Sequence, residues 1–239
     1  MKMPELDLPQ GIEARFETTP QLVAQQLADA VSDFLKDRLD SAPRASLAVS
    51  GGSTPLPFLQ ALSRKEIDWG RVDVLLVDER WVAETDEASN TRMVKESLLQ
   101  HNAAAARFFS LKQAGATPED GLAAANAELA ALTRPLDVLI LGMGNDGHTA
   151  SLFPDAPELA HAMSPENRET LAAMRPPSQA HSRITLTYAF MRRARFVALH
   201  LKGEDKLETL KKALSEPGGV FTMPVRGFLK SGLQIFWSP

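Results

Sequence analysis

Residues 136–154 read LDVLILGMGNDGHTASLFP, in which an uncharged run from Val138 to Gly144 passes directly into a glycine-rich turn. Val138, Leu139, Ile140 and Leu141 show no polar/apolar alternation, the pattern of a strand covered on both faces in a parallel sheet. Gly142, Gly144 and Gly147 allow positive φ and a close approach of the backbone to a ligand. In open α/β sheets the ligand crevice lies beyond the carboxyl ends of the strands. Asp146 and His148, both in this turn, are therefore expected at a ligand site.

The remaining pattern alternates. Thr19-Pro20 is a helix start, followed by a helical stripe of Leu22, Val23, Leu27, Val31, Phe34 and Leu35. Residues 45–50 read as a strand, and GGSTP at 51–55 as a turn opening a helix with Phe58, Leu59 and Leu62. Residues 72–77 form a further apolar strand that ends in Asp78, Glu79 and Arg80. Helices are predicted at 91–99 and 118–132, with a short strand at 107–111 between them. After the 136–141 strand the alternation resumes, with strands at 183–187, 195–201 and 233–237 and helices at 188–193 and 204–214. Such βα alternation predicts an α/β three-layer sandwich, a mainly parallel, Rossmann-like sheet with helices on both faces. A chain of 239 residues is expected to form one domain, 1–239.

Charge and composition narrow the partners. A net charge of -4 gives no broad basic surface, so nucleic acid is not an expected partner and any anionic ligand is small. The absence of cysteine excludes disulfides, thiolate chemistry and cysteine-ligated zinc, and suits a reducing compartment; a cytoplasmic location is expected. MKMPELDLPQ at the N-terminus has no apolar signal-peptide core, and no window approaches the ~20 apolar residues of a membrane span. No spacing of potential ligands suggests a metal.

Each polar cluster has an ordinary reading beside the functional one. Ser50-Gly51-Gly52-Ser53-Thr54 can present backbone N–H groups to a phosphate, or can be a tight loop; it lacks the GK[ST] ending of a Walker A loop. Gly142-x-Gly144-x-x-Gly147 formally matches the dinucleotide fingerprint. It occurs late in the chain, however, and is followed by His148 rather than a small helix-packing residue, so the glycines are read as shaping a catalytic loop. Asp78, Glu79 and Arg80 can be a salt-bridged strand end, or Arg80 can face an oxyanion or phosphate. Arg183 and Lys206, taken alone, read as solvated surface charges. His101, His161, His181 and His200 sit in no setting comparable to that of His148.

SGGSTP, VDERWV, SNTRM, LGMGNDGHTASLFP, RITLT and GEDK, in this order and spacing, resemble the 6-phosphogluconolactonase family from about Ser46 to about Gly227. The related glucosamine-6-phosphate deaminases share the Gly-Asp-Gly-His core but continue with Asn-Glu-Pro, where this chain has Ser151-Leu152-Phe153-Pro154. The resemblance implies the α/β sandwich common to those deaminases, ribose-5-phosphate isomerase and CoA transferases. It implies hydrolysis of a small sugar phosphate lactone, 6-phospho-D-glucono-1,5-lactone, with no cofactor and no metal. His148 is then the expected base, Asp146 its orienting partner, and Arg80 a donor to the oxyanion or to phosphate. Gly52, Ser53 and Thr54, with Arg183 and Lys206, are the expected phosphate ligands, and Gly51, Asp78 and Gly144 complete the binding set. The alternatives are a deaminase/isomerase in which Asp78 moves a proton between carbons, and a non-catalytic sugar-phosphate-binding protein. No membrane contact is expected, and either a monomer or a homodimer is compatible.

Overall fold

A computed structural model describes residues 6–239, so the first half of the MKMPELDLPQ reading lies outside the described residues. The elements in chain order are β1 (Glu13–Phe16), α1 (Pro20–Ser41), β2 (Ala45–Val49), α2 (Leu56–Leu62), β3 (Val72–Leu76), β4 (Asp78–Arg80), α3 (Asn90–Ser97), β5 (Arg107–Phe109), α4 (Pro118–Leu129), β6 (Val138–Leu141), α5 (Leu159–Ala162), β7 (Leu171–Met174), β8 (Arg183–Leu186), α6 (Tyr188–Met191), β9 (Phe196–Lys202), α7 (Glu204–Ser215) and β10 (Leu233–Ser238).

Seven strands form one parallel sheet in the order β1-β10-β9-β6-β2-β3-β5, flanked by helices. β2, β3 and β6 are buried at every position, which requires cover on both faces, whereas β1 at the edge alternates exposed and half-buried residues. Helix starts follow local chemistry. The Thr19 hydroxyl accepts from Leu22 N–H ahead of Pro20, and Thr117 with Asp120 forms a reciprocal capping box ahead of Pro118.

The sequence reading needs correcting at one layer. The strand predicted at 183–187 does not join the parallel sheet. It is β8, the centre of a separate antiparallel sheet, β4-β8-β7. The 72–77 strand likewise does not simply end in charges, because the chain steps out after Val77 and Asp78–Arg80 pairs with β8. β1 and β7 were not anticipated; β7 is four residues and β1 is an edge strand with two charged residues.

Two buried carboxylates hold the amino ends of the central strands. Asp137 accepts from Ser46 N–H at 3.0 Å and from Arg38 Nε at 2.7 Å, with Arg195 Nε at 3.3 Å. Asp73 is shared by Arg44 and Arg107, at 2.6 and 2.8 Å. Both aspartates are fully buried, so ionised oxygens there are tolerated only with these partners. Among the described residues no helix is long and apolar enough to cross a membrane.

Removing the Asp137 carboxylate would leave the guanidinium groups and the Ser46 N–H without their acceptor. Asp137→Ala is expected to lower the free energy of unfolding by about 3 kcal/mol in urea denaturation; a change below ~0.5 kcal/mol would mean the pin contributes little.

Candidate active site

The parallel sheet changes direction of growth between β2 and β6: from β2 the chain moves outward to β3 and β5, and from β6 to β9 and β10 on the other side. A crevice at the carboxyl ends is the consequence of such a switch point. At this place the structure has a cleft of about 340 Å³, bounded by the loops after β2, β6 and β9 and by β4 and β8. Ser50 sits where β2 and β6 separate; its hydroxyl donates to Ile140 C=O at 2.9 Å and accepts from Gly142 N–H at 3.1 Å.

The turn after β6 is built to hold one imidazole. Gly147 N–H donates to Gly144 C=O at 3.0 Å and Gly144 N–H to His148 C=O at 2.9 Å, closing the turn on itself. Gly147 has φ +79°, and a Cβ at Gly144 would fall 2.1 Å from the His148 ring, so both glycines are required by geometry. Asp146 Oδ1 accepts from the His148 backbone N–H at 3.0 Å and lies 2.6 Å from Nδ1. The imidazole also stacks on Phe153, centroids 4.0 Å apart and planes 25° apart. Partial burial pushes the Asp146 carboxyl up, but hydrogen bonds and charge from His148 outweigh it and hold the group below the usual carboxylate range. With Asp146 ionised, the Nδ1–H tautomer of His148 donates a hydrogen bond to it and carries its lone pair on Nε2. Ala150, next along the cleft wall, takes φ 50°, unusual for a residue with a side chain.

Arg80 and Arg183 face each other across the β4–β8 ladder as direct register partners and both line the cleft. Like charges so paired repel; a site that holds them side by side suits an anion. Arg183 is only 6% exposed, against its reading as a solvated charge. Its Nη2 donates to Gln179 Oε1 at 2.9 Å, and Nη1 lies 3.8 Å from Asp78 Oδ2. Burial pushes the Arg183 guanidinium down from its ordinary value, Asp78 opposes this, and Arg80 adds to it. Arg80 donates to Ala88 C=O at 2.7 Å, while its Nε is enclosed with no partner.

The two acids of β4 differ. Glu79 is wholly committed to the fold: it accepts from Asn90 N–H at 2.8 Å, Thr91 N–H at 2.7 Å and the Ser89 hydroxyl at 3.2 Å, capping α3. Asp78 lines the cleft and accepts from the Ser151 hydroxyl at 2.5 Å. Asn90 donates to Asp78 C=O at 3.1 Å, and its side chain fills the space a Cβ at Gly51 would need.

Gly51, Gly52, Ser53 and Thr54 form the facing lip of the cleft, with Gly52 at φ +90° and open space around it. Lys206, at the start of α7, reaches the same cleft and donates to Asn145 Oδ1 of the His148 turn. The structure thus gathers Gly144, His148, Asp78, Arg80, Arg183, Lys206 and the 51–54 loop, with Asp146 behind His148. Among the described residues no group of three His, Asp or Glu side chains could hold a metal ion.

His200 was passed over in the sequence. It lies in β9, 5% exposed, and lines the cleft edge-on to Phe58 of α2, centroids 6.1 Å apart. Its Nδ1 is enclosed and has no partner. Burial lowers the imidazole pKa from 6.5 to about 4. Within LHL, a histidine in an aliphatic strand carries no motif; only the register of β9 against β6, His200 lying one residue beyond the Leu141–Leu199 pair, brings it to the cleft.

Similarity to known proteins points to one family. The family model for glucosamine-6-phosphate isomerases/6-phosphogluconolactonase matches residues 18–237. The chain is 42% identical over 239 residues to a 6-phosphogluconolactonase from Pseudomonas aeruginosa, covering 100% of both. It matches the crystal structure of a 6-phosphogluconolactonase from Shewanella baltica with a TM-score of 0.93 at 42% identity, covering 96% of this chain and 99% of that one. A monomeric glucosamine-6-phosphate deaminase shares the fold, with a TM-score of 0.76 at 17% identity and coverage of 95% and 97%.

The buried His200 links stability to pH. Between about pH 4 and 6.5 the unfolded chain binds a proton at this position that the folded chain does not, so its contribution is complete above 6.5 and is lost towards 4. On moving from pH 7.5 to 5, wild type is expected to lose about 2 kcal/mol more unfolding free energy than His200→Gln. Equal losses in denaturant titrations of the two proteins would contradict a neutral buried imidazole.

Proposed function

The chain belongs to the glucosamine-6-phosphate isomerase/6-phosphogluconolactonase family, and from that membership we infer that it hydrolyses 6-phospho-D-glucono-1,5-lactone to 6-phospho-D-gluconate, a step of the oxidative pentose phosphate pathway. The observation that carries this reading is the Asp146–His148 pair, 2.6 Å apart, whose imidazole lines a cleft that also holds Arg80, Arg183 and Lys206. Full-length identity of 42% to relatives named for the lactonase supports it; the deaminase likeness is one of fold.

In the proposed mechanism His148 Nε2 takes a proton from water as the water oxygen bonds to the lactone C1. The carbonyl electrons move onto oxygen, where Arg80 and backbone N–H groups of the glycine loops are the donors; one such donor typically contributes a factor of about 10² to 10³. Collapse of the tetrahedral intermediate breaks the bond from C1 to the ring oxygen, and the imidazolium returns its proton to that oxygen. Asp146 fixes the tautomer throughout and balances the transient charge. Phosphate binding by Ser53, Thr54, Gly52, Lys206 and Arg183 supplies energy, remote from C1, that positions the reacting carbon. This reading treats residues 1–239 as one cytoplasmic domain, monomeric or homodimeric, acting on a free sugar phosphate without cofactor.

Freshly made lactone followed against a buffer blank, beside ammonia release from glucosamine 6-phosphate, tests the reading. Accelerated lactone loss without ammonia is expected. Ammonia release alone would favour the deaminase, and phosphosugar binding with neither reaction a binding protein. Within the lactonase, Lys206→Ala is expected to raise KM about tenfold with kcat nearly constant, and Arg80→Ala to lower kcat by about 10². The reverse pattern would exchange the two assignments.

A further inference from the structure

We propose that His200 is a substrate-binding residue whose Nε2–H donates a hydrogen bond to the substrate's phosphate group; the inference rests on the sugar-phosphate reading of the cleft. Nothing in the mechanism uses this side chain, yet it lines the cleft while 5% exposed. A polar ring so enclosed is ordinarily hydrogen-bonded, and His200 Nδ1 has no partner.

The chemistry of the ring decides its role. A neutral imidazole carries one proton, which goes to the nitrogen able to find an acceptor. Nδ1 is sealed in the fold, so a proton there would be an unsatisfied buried donor, whereas Nε2 is the nitrogen left towards the cleft. His200 is therefore a fixed neutral donor, and burial keeps it neutral over the physiological range. What it donates to follows from its neighbours. Phe58, which meets the ring edge-on, belongs to the helix that the 51–54 loop enters. Along the chain, β9 is followed after Gly203 by α7, whose Lys206 is a cation lining the same cleft. The ring thus lines the same cleft as the two groups assigned to phosphate, on the β9 side of the switch point, whereas His148 sits in the turn after β6. An anionic oxygen is the acceptor that best rewards a desolvated, pre-oriented N–H.

Two readouts test this. In long-range ¹H–¹⁵N spectra of the wild-type protein, His200 should be the Nε2–H tautomer, and its Nε2 resonance should move on addition of inorganic phosphate or 6-phosphogluconate. Kinetically, His200→Leu should raise KM for the phospholactone on the order of tenfold with kcat nearly constant. His200→Gln, whose amide nitrogen reaches the Nε2 position, should recover most of the loss. An Nδ1–H tautomer, an Nε2 signal indifferent to both anions, or an unchanged KM in a folded His200→Leu protein would overturn the proposal. Failure of the wild type to hydrolyse the lactone would instead remove the functional reading, and the phosphate titration would still decide whether His200 holds an anion.

Discussion

The site depends on the parting of β2 and β6. Two adjacent parallel strands bond through Leu47–Val138 and Ala48–Leu139 and then diverge, which would strand buried backbone groups in a layer without water. Ser50 resolves this with one hydroxyl that donates to Ile140 C=O and accepts from Gly142 N–H, standing in for the missing strand partner. The cleft opens beyond that bridge. At the amino ends Asp137 ties the same two strands together through Ser46 and its own strand, so β2 and β6 are fixed where they begin and released where they end.

Rigidity at the parting point is passed on to the imidazole. Gly142 accepts from the Thr149 hydroxyl, the turn closes between Gly144 and His148, and Val225 N–H fastens Gly147 from outside. His148 is left with one ring face against Phe153 and one nitrogen on Asp146. In the proposed mechanism, a base whose orientation is settled before substrate arrives loses little to reorganisation during the reaction. The antiparallel sheet adds the second ingredient, two arginines set against each other by strand register, Arg183 near Asp78 and Arg80 on the Ala88 carbonyl; Asp78 remains in the cleft, while Glu79 is consumed by the cap of α3.

The parallel core was legible in the sequence because buried parallel strands are mainly aliphatic runs; β2, β3 and β6 read that way, and glycines follow β2 and β6. The same applies to the turn carrying Asp146 and His148, where composition and chemistry coincide over a few residues. The small sheet was not legible. Asp78–Arg80 has no apolar face, and its strand character comes from pairing with Arg183 about a hundred residues on. Burial of Arg183 and of His200 is a tertiary property as well: each lies in an unremarkable strand, and only cross-strand register brings it to the cleft. Local pattern reports what a segment can do alone, and these positions are set by partners distant in the chain.

The proposed mechanism rests on His148 as the base that Asp146 orients. The most direct measurement is kcat for lactone hydrolysis, corrected for the spontaneous reaction, in wild type and in folded His148→Asn protein that still binds 6-phosphogluconate. A loss of at least about 10² in kcat is expected, with product affinity nearly unchanged. Wild-type turnover in the variant would place the base elsewhere and leave the Asp146–His148 pair as a brace of the turn.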